Sequence, residues 1–110
     1  MGKLTQFGHS FQVKILSALI TDRDFLQQSF DMISPDYFDN DASKWIIKNT
    51  LNYFDKYKTI PTMEVFKVEV DKIKNEVQGV AVKELLKESY KSSKSNDLKF
   101  IKNTFLDFCK

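Results

Sequence analysis

Glycine and proline are scarce, with three Gly and two Pro in 110 residues. A β-sandwich or barrel needs many tight turns, and such turns draw on both residue types, so the composition argues against an all-β fold. The same scarcity argues against a Gly-rich phosphate loop. No P-loop, dinucleotide fingerprint or nucleophile elbow occurs. One cysteine, Cys109, excludes an intramolecular disulfide and a multi-cysteine metal site, and is compatible with a reducing compartment. Arginine is also nearly absent. Only Arg23 offers the forked contacts that suit phosphate and guanine. The 17 basic and 15 acidic residues interleave to a net charge of +2, without the basic stripe of a dedicated nucleic-acid binder. No apolar run approaches a membrane span, and the N-terminus lacks a signal-peptide core. A cytoplasmic protein without membrane contact is expected.

Apolar residues are plentiful at 42%, including ten Phe, four Tyr and one Trp. A chain of this length can bury one core without staples. Residues 1–9 are polar, with Gly2 and Gly8, and are expected to form a flexible arm. Residues 10–110 are expected to form a single helical domain.

Ser10 is a plausible N-cap. Apolar residues at 11, 13, 15, 16, 19 and 20 then predict a helix mostly surrounded by protein. Thr21-Asp22-Arg23-Asp24 has the form of a capping box, which opens a second helix with Phe25, Leu26, Phe30 and Ile33 on one side. Ser34-Pro35 stops it, and Tyr37 and Phe38 drop back into the core. Asp36, Asp39 and Asp41 invite a calcium reading. A calcium loop counted from Asp39 would need Gly sixth and Glu twelfth, where Lys44 and Thr50 stand. These acids are expected to serve the turn and the cap of the third helix.

The third helix, about 41–57, is apolar over much of its circumference and is expected to be central. Thr62 should cap a fourth helix running to about Val77, with Gly79 just past its end. A fifth helix, 80–90, turns Ala81, Val82, Leu85, Leu86 and Tyr90 inward. After a polar link, a sixth begins at Asn96 and Asp97 with Leu98, Ile101, Phe105 and Phe108 as its stripe. It reaches Lys110 with no Gly, Asn or Pro stop, so the chain is expected to be the N-terminal part of a longer protein.

The expected fold is therefore all-α, a bundle of about six helices. The expected core comprises Leu16, Leu19, Phe30, Phe38, Trp45, Ile46, Phe54, Phe66, Ile101 and Phe105. His9 falls in the arm, Cys109 near Phe105 and Phe108, and the carboxylates on caps and helix surfaces. No catalytic, metal or cofactor-binding residue is expected.

Several segments, in order, resemble the N-terminal domain of DnaB-type replicative helicases, in the version of T-even-like tailed phages. They are Lys14-Ile15-Leu16-Ser17-Ala18-Leu19-Ile20, Asp24-Phe25-Leu26, and the turn Ile33-Ser34-Pro35-Asp36-Tyr37-Phe38. The long aromatic helix follows, then Lys58-Thr59-Ile60-Pro61-Thr62, and finally Asp97-Leu98-Lys99-Phe100-Ile101. The resemblance implies a six-helix head that does no chemistry. In that family the head belongs to the collar of a ring hexamer around single-stranded DNA in the bacterial host cytoplasm. The implied partners are other helicase subunits, primase and a helicase loader, with DNA met mainly through the full ring. ATP and Mg belong to a RecA-like C-terminal domain that these residues lack. No short motif marks the partner surfaces; Lys48, Asp55, Lys56, Glu69 and Lys72 are the expected interaction residues.

Other readings stay open. One is the helicase-binding domain of a primase, which shares a similar head. Another is a free-standing DNA-binding regulator, although Lys83, Glu84, Lys87 and Glu88 are too balanced for a recognition helix. A small phage inhibitor of a host enzyme is a third. The family's subunit-pairing hairpin would follow Lys110, so this chain is expected to be a monomer or weak dimer. Light scattering at micromolar concentration checks this, and a stable hexamer would contradict it.

Overall fold

Side-chain caps decide where most of the helices begin. The protein, described by a computed structural model over residues 4–109, has six α-helices. They are α1 (Gly8–Thr21), α2 (Arg23–Ser29), α3 (Asp41–Tyr57), α4 (Met63–Val70), α5 (Glu76–Ser92) and α6 (Leu98–Cys109). Turns of 3-10 helix occupy Leu4–Phe7 and Pro35–Tyr37, and no strand occurs among the described residues. The all-α bundle is as expected. Among the described residues no helix is long and apolar enough to cross a membrane.

Four N-caps are made by side chains. Asp22 accepts from the Phe25 N–H (3.1 Å), Asn40 from Ser43 (2.8 Å), Thr62 from Val65 (3.3 Å) and Asn75 from Gln78 (2.9 Å). Each cap stabilises its helix by about 1 kcal/mol. These bonds correct several sequence expectations. Asp22, not Thr21, caps α2, because the Thr21 hydroxyl donates to the Ser17 carbonyl (2.6 Å). Asn40, not an aspartate, caps α3. Asn75 starts α5 early, so α4 ends at Val70, Gly79 lies inside α5, and Val77 is 81% exposed. Ala81, expected inward, is exposed. Ser10 lies within α1, which starts at Gly8 with φ +84, a conformation that favours glycine. Lys58 closes α3 in the left-handed region (φ 61), and its N–H donates to the Phe54 carbonyl (2.8 Å). Glycine usually fills that role.

The most enclosed helix is α1. Ile15, Leu16, Leu19 and Ile20 are all fully buried, and α1 packs against α2, α3, α5, α6 and the first 3-10 turn. The third helix has the expected bounds but not the expected place at the centre. It rests on α5, α1 and the second 3-10 turn, and keeps an open outer side. The reason is charge. Lys14 is the sole Lys, Arg, Asp or Glu of α1, whereas α3 carries Asp41, Lys44, Lys48, Asp55 and Lys56.

Eight of the ten expected core residues are buried: Leu16, Leu19, Phe38, Ile46, Phe54, Phe66, Ile101 and Phe105. Phe30 and Trp45 are only half-buried and pack against the core's edge. Phe30 lies just past the end of α2, its ring against Phe54 (centroids 5.4 Å). The loose arm expected over 1–9 is, in its described part, a 3-10 turn leading into α1. Leu4 is fully buried, and Phe7 stacks on Phe11 (4.4 Å) and meets Phe108 edge-on (5.9 Å). Residues 1–3 and Lys110, on which the expected arm and helix ending partly rest, lie outside the described residues.

Two polar groups stand out within the core. Ser17 on α1 and Ser89 on α5 are fully buried, and their hydroxyls have no hydrogen-bond partner. A buried hydroxyl left unpaired costs about 1–3 kcal/mol. Ser17→Ala and Ser89→Ala remove that cost and improve helix propensity. Each variant is expected to raise stability by about 1 kcal/mol in urea denaturation. A loss of stability in both would mean that the hydroxyls are satisfied.

Candidate functional site

After Tyr57 the left-handed Lys58 and the Ile60-Pro61 link redirect the chain, and Thr62 starts α4 at once. The helix then lies on α5, and it buries Phe66 and Val70. A groove is left open between α3 and α4. Its α3 wall is Trp45, Asn49, Tyr53 and Tyr57, at the four-residue spacing that places side chains on one helix face. Val65, Glu69, Lys72 and Ile73 form the opposite side. Two hollows of about 400 and 450 Å³ adjoin along it, sharing Asn49, Glu69 and Lys72.

The groove's side chains restrain one another. The Tyr53 and Tyr57 rings are 4.5 Å apart, and the Lys56 ammonium sits 5.4 Å from the Tyr57 ring centre. Asn49 donates to the Trp45 carbonyl (2.9 Å), and Lys72 bonds Glu69 (2.7 Å). Tyr57 remains 55% exposed. Aromatic faces beside amides and ammonium groups suit a partner that offers flat apolar groups and hydrogen-bond acceptors.

Of the five expected interaction residues, Lys56, Glu69 and Lys72 come together here. Lys48 and Asp55 do not line the groove; both are exposed, and Asp55 lies 4.0 Å from Lys58. Trp45 is expected in the core, and Tyr53 and Tyr57 follow it on one side of α3 at helical spacing. The structure makes all three a wall. The interposed Asn49, at the same spacing, is the signal that this stripe meets a mixed environment.

Elsewhere the charged groups perform structural work. Lys102 on α6 bonds Asp22 at the start of α2 (2.5 Å) and lies 5.7 Å from the Phe25 ring centre. Burial works against the Asp22 carboxylate. The Lys102 hydrogen bond and charge, with the Phe25 and Asp24 N–H groups, outweigh it and hold the carboxyl below its ordinary value. Lys14 bonds Asp97 (2.7 Å), and this bond, followed by one from the Ser95 hydroxyl, likewise lowers Asp97. Asp39 accepts from the Gln12 side chain (2.8 Å), which ties the turn before α3 to α1. His9 in α1, which had been expected in the arm, lies 3.3 Å from Glu88 at the surface. Burial pushes the Tyr90 hydroxyl up, and the Cys109 thiol up to about 11, which keeps the thiol protonated near neutrality. No group of three or more His, Cys, Asp or Glu among the described residues is placed to hold a metal ion.

Asp22 and Asp97 both ionise below the ordinary carboxylate value of 3.8. Their contribution to stability is therefore complete above that value and is lost as pH falls through the lower folded one. Asp22→Asn is expected to flatten the fall in the urea midpoint below about pH 4 relative to the parent chain. An unchanged acid profile would show that the Lys102 pair is not coupled to folding.

Compared with protein-family models, with curated proteins and with solved structures, the chain has no match.

Proposed function

We propose that this chain is a non-catalytic docking and assembly domain of the kind that heads DnaB-type replicative helicases in T-even-like phages. The single observation that carries the reading is the open α3–α4 groove, where three of the five expected interaction residues meet an aromatic wall. Such a groove offers contact area and hydrogen-bonding groups to a partner. Large aromatics with an apolar body and a polar tip are enriched in protein interfaces for the same reason. The six-helix architecture agrees with the head that the resemblance implies. On this reading the groove takes a segment of primase, of a loader or of a neighbouring helicase subunit. ATP and Mg act in the ATPase domain and not here.

Titration calorimetry against primase, loader and the helicase ATPase domain from the same genome tests the proposal. A complex with at least one, at a Kd on the order of micromolar, is expected. Lys56→Glu with Lys72→Glu should weaken it about tenfold while leaving the helical circular dichroism unchanged. No complex with any of the three would overturn the proposal. So would a steeply salt-dependent affinity for duplex DNA, which belongs to a DNA-binding regulator.

A further inference from the structure

A second groove lies on the other flank of α4, against α5, and its chemistry differs from the first. Its floor is apolar, made by the buried Val70 and Leu86 and by Met63, which is 39% exposed. Its rim is basic: Lys67 from α4, Lys83 and Lys87 from α5, with Asp71 the one acid. The hollow measures about 380 Å³. It continues past Val70, Asp71 and Lys83 into a neighbouring hollow of about 280 Å³ that adds Val80, 60% exposed, and Glu76.

Both walls use helical spacings of three and four residues. On α4, Met63, Lys67 and Val70 are spaced by four and three residues. On α5, Val80, Lys83 and Lys87 are spaced by three and four. Each helix therefore presents apolar and basic groups along one side of a shared trough. Lys67 and Lys83 form no ion pair with any described residue, and Lys87 has only Glu84, 3.9 Å away. Around the first hollow the three lysines outnumber Asp71, while Glu76 in the second hollow and Glu84 beside Lys87 offset part of their charge.

We infer that the α4–α5 groove is a docking site for an acidic amphipathic helix of a partner protein. An apolar face laid on Met63, Val70, Val80 and Leu86 would displace water from the trough, while its flanking carboxylates would meet Lys67, Lys83 and Lys87. Docking a helix in a groove needs this combination of apolar anchors and complementary rim charge. Methionine adapts its shape to an incoming side chain, which suits the partly exposed Met63. No aromatic residue or arginine lines either hollow. The groove therefore lacks the stacking platforms by which single-stranded nucleic acid is held. Its concavity favours a rod-like segment over a flat lipid surface.

The probe is a labelled peptide of about four helical turns, with Leu at i, i+3 and i+7 and Glu elsewhere on its surface. Fluorescence anisotropy should give saturable binding that weakens as salt is raised. A counterpart with Lys in place of each Glu should bind at least about tenfold more weakly. Lys67→Glu, Lys83→Glu and Lys87→Glu, combined in one chain, should also cost about tenfold or more. Lys56→Glu with Lys72→Glu, in the other groove, should leave peptide binding unchanged, so the two sites are tested separately. The inference is overturned if the acidic peptide fails to bind at about millimolar concentration, or if both peptides bind alike. It is also overturned if the lysine variants have no effect on the peptide but abolish binding to anionic phospholipid vesicles.

Discussion

The enclosure of α1 is the constraint on which the other helices depend. Fully burying a Leu or Ile side chain contributes about 1.5–3 kcal/mol, and α1 places Ile15, Leu16, Leu19 and Ile20 out of water together. Such a helix must be covered all round, so α2, α3, α5, α6 and the first 3-10 turn each take one side of it. Lys14, its sole Lys or Arg, lies where it can bond Asp97 just ahead of α6. Leu4 is drawn in for the same reason, and the aromatic set of Phe7, Phe11, Tyr37 and Phe108 closes one end. The surrounding helices need only one apolar stripe apiece, which leaves their outer faces open to other uses.

Much of this was legible in the sequence. The bounds of α3 followed from the turn residues before it and the Ile60-Pro61 link after it. Thr62 was readable as a cap, and Phe38 as a return into the core. The failures have physical causes. An Asn such as Asn75 caps as well as a Ser or Thr, but with Ile73 and Val77 in helical register on either side the break it makes is invisible to periodicity. Leu4 has only Met1 and Phe7 as apolar neighbours before α1, too short a pattern to mark it as buried. Its partner surface is made by distant segments. Trp45 and Phe30 were assigned to the core by residue type, yet a large ring at a helix edge can remain half in water.

The candidate site was harder to read than the fold. Lys56, Glu69 and Lys72 were identifiable only as charged surface, and nothing local distinguished them from Lys48 and Asp55. What separates them is the path of the chain after Tyr57. A residue in the left-handed region ends α3, and Thr62 begins α4 before the chain can fold back along α3. The short α4 instead leans on α5 and buries Phe66 and Val70. An isolated helix of this length would be marginal in water, so tertiary packing sets its position. That position makes α4 the shared wall of two grooves, which no pattern within α4 itself could reveal.

Two sides of α3 carry different residues. Ala42, Ile46, Ile47, Thr50 and Phe54 satisfy the core from one side of that helix. Asn49, Tyr53 and Tyr57 occupy another side and face α4 across the groove, and Trp45 lines the same groove from the edge of the core. A helix that needed only to be stable and soluble could carry Lys, Glu or Gln there, which keep helix propensity without exposing rings. Single exposed apolar residues are ordinary, but aromatic rings aligned on one face beside a concave opening form a patch. The packing around α1 does not account for that patch, and neither do the ion pairs at α6. The proposed contact with another molecule would give these residues a physical reason to be there.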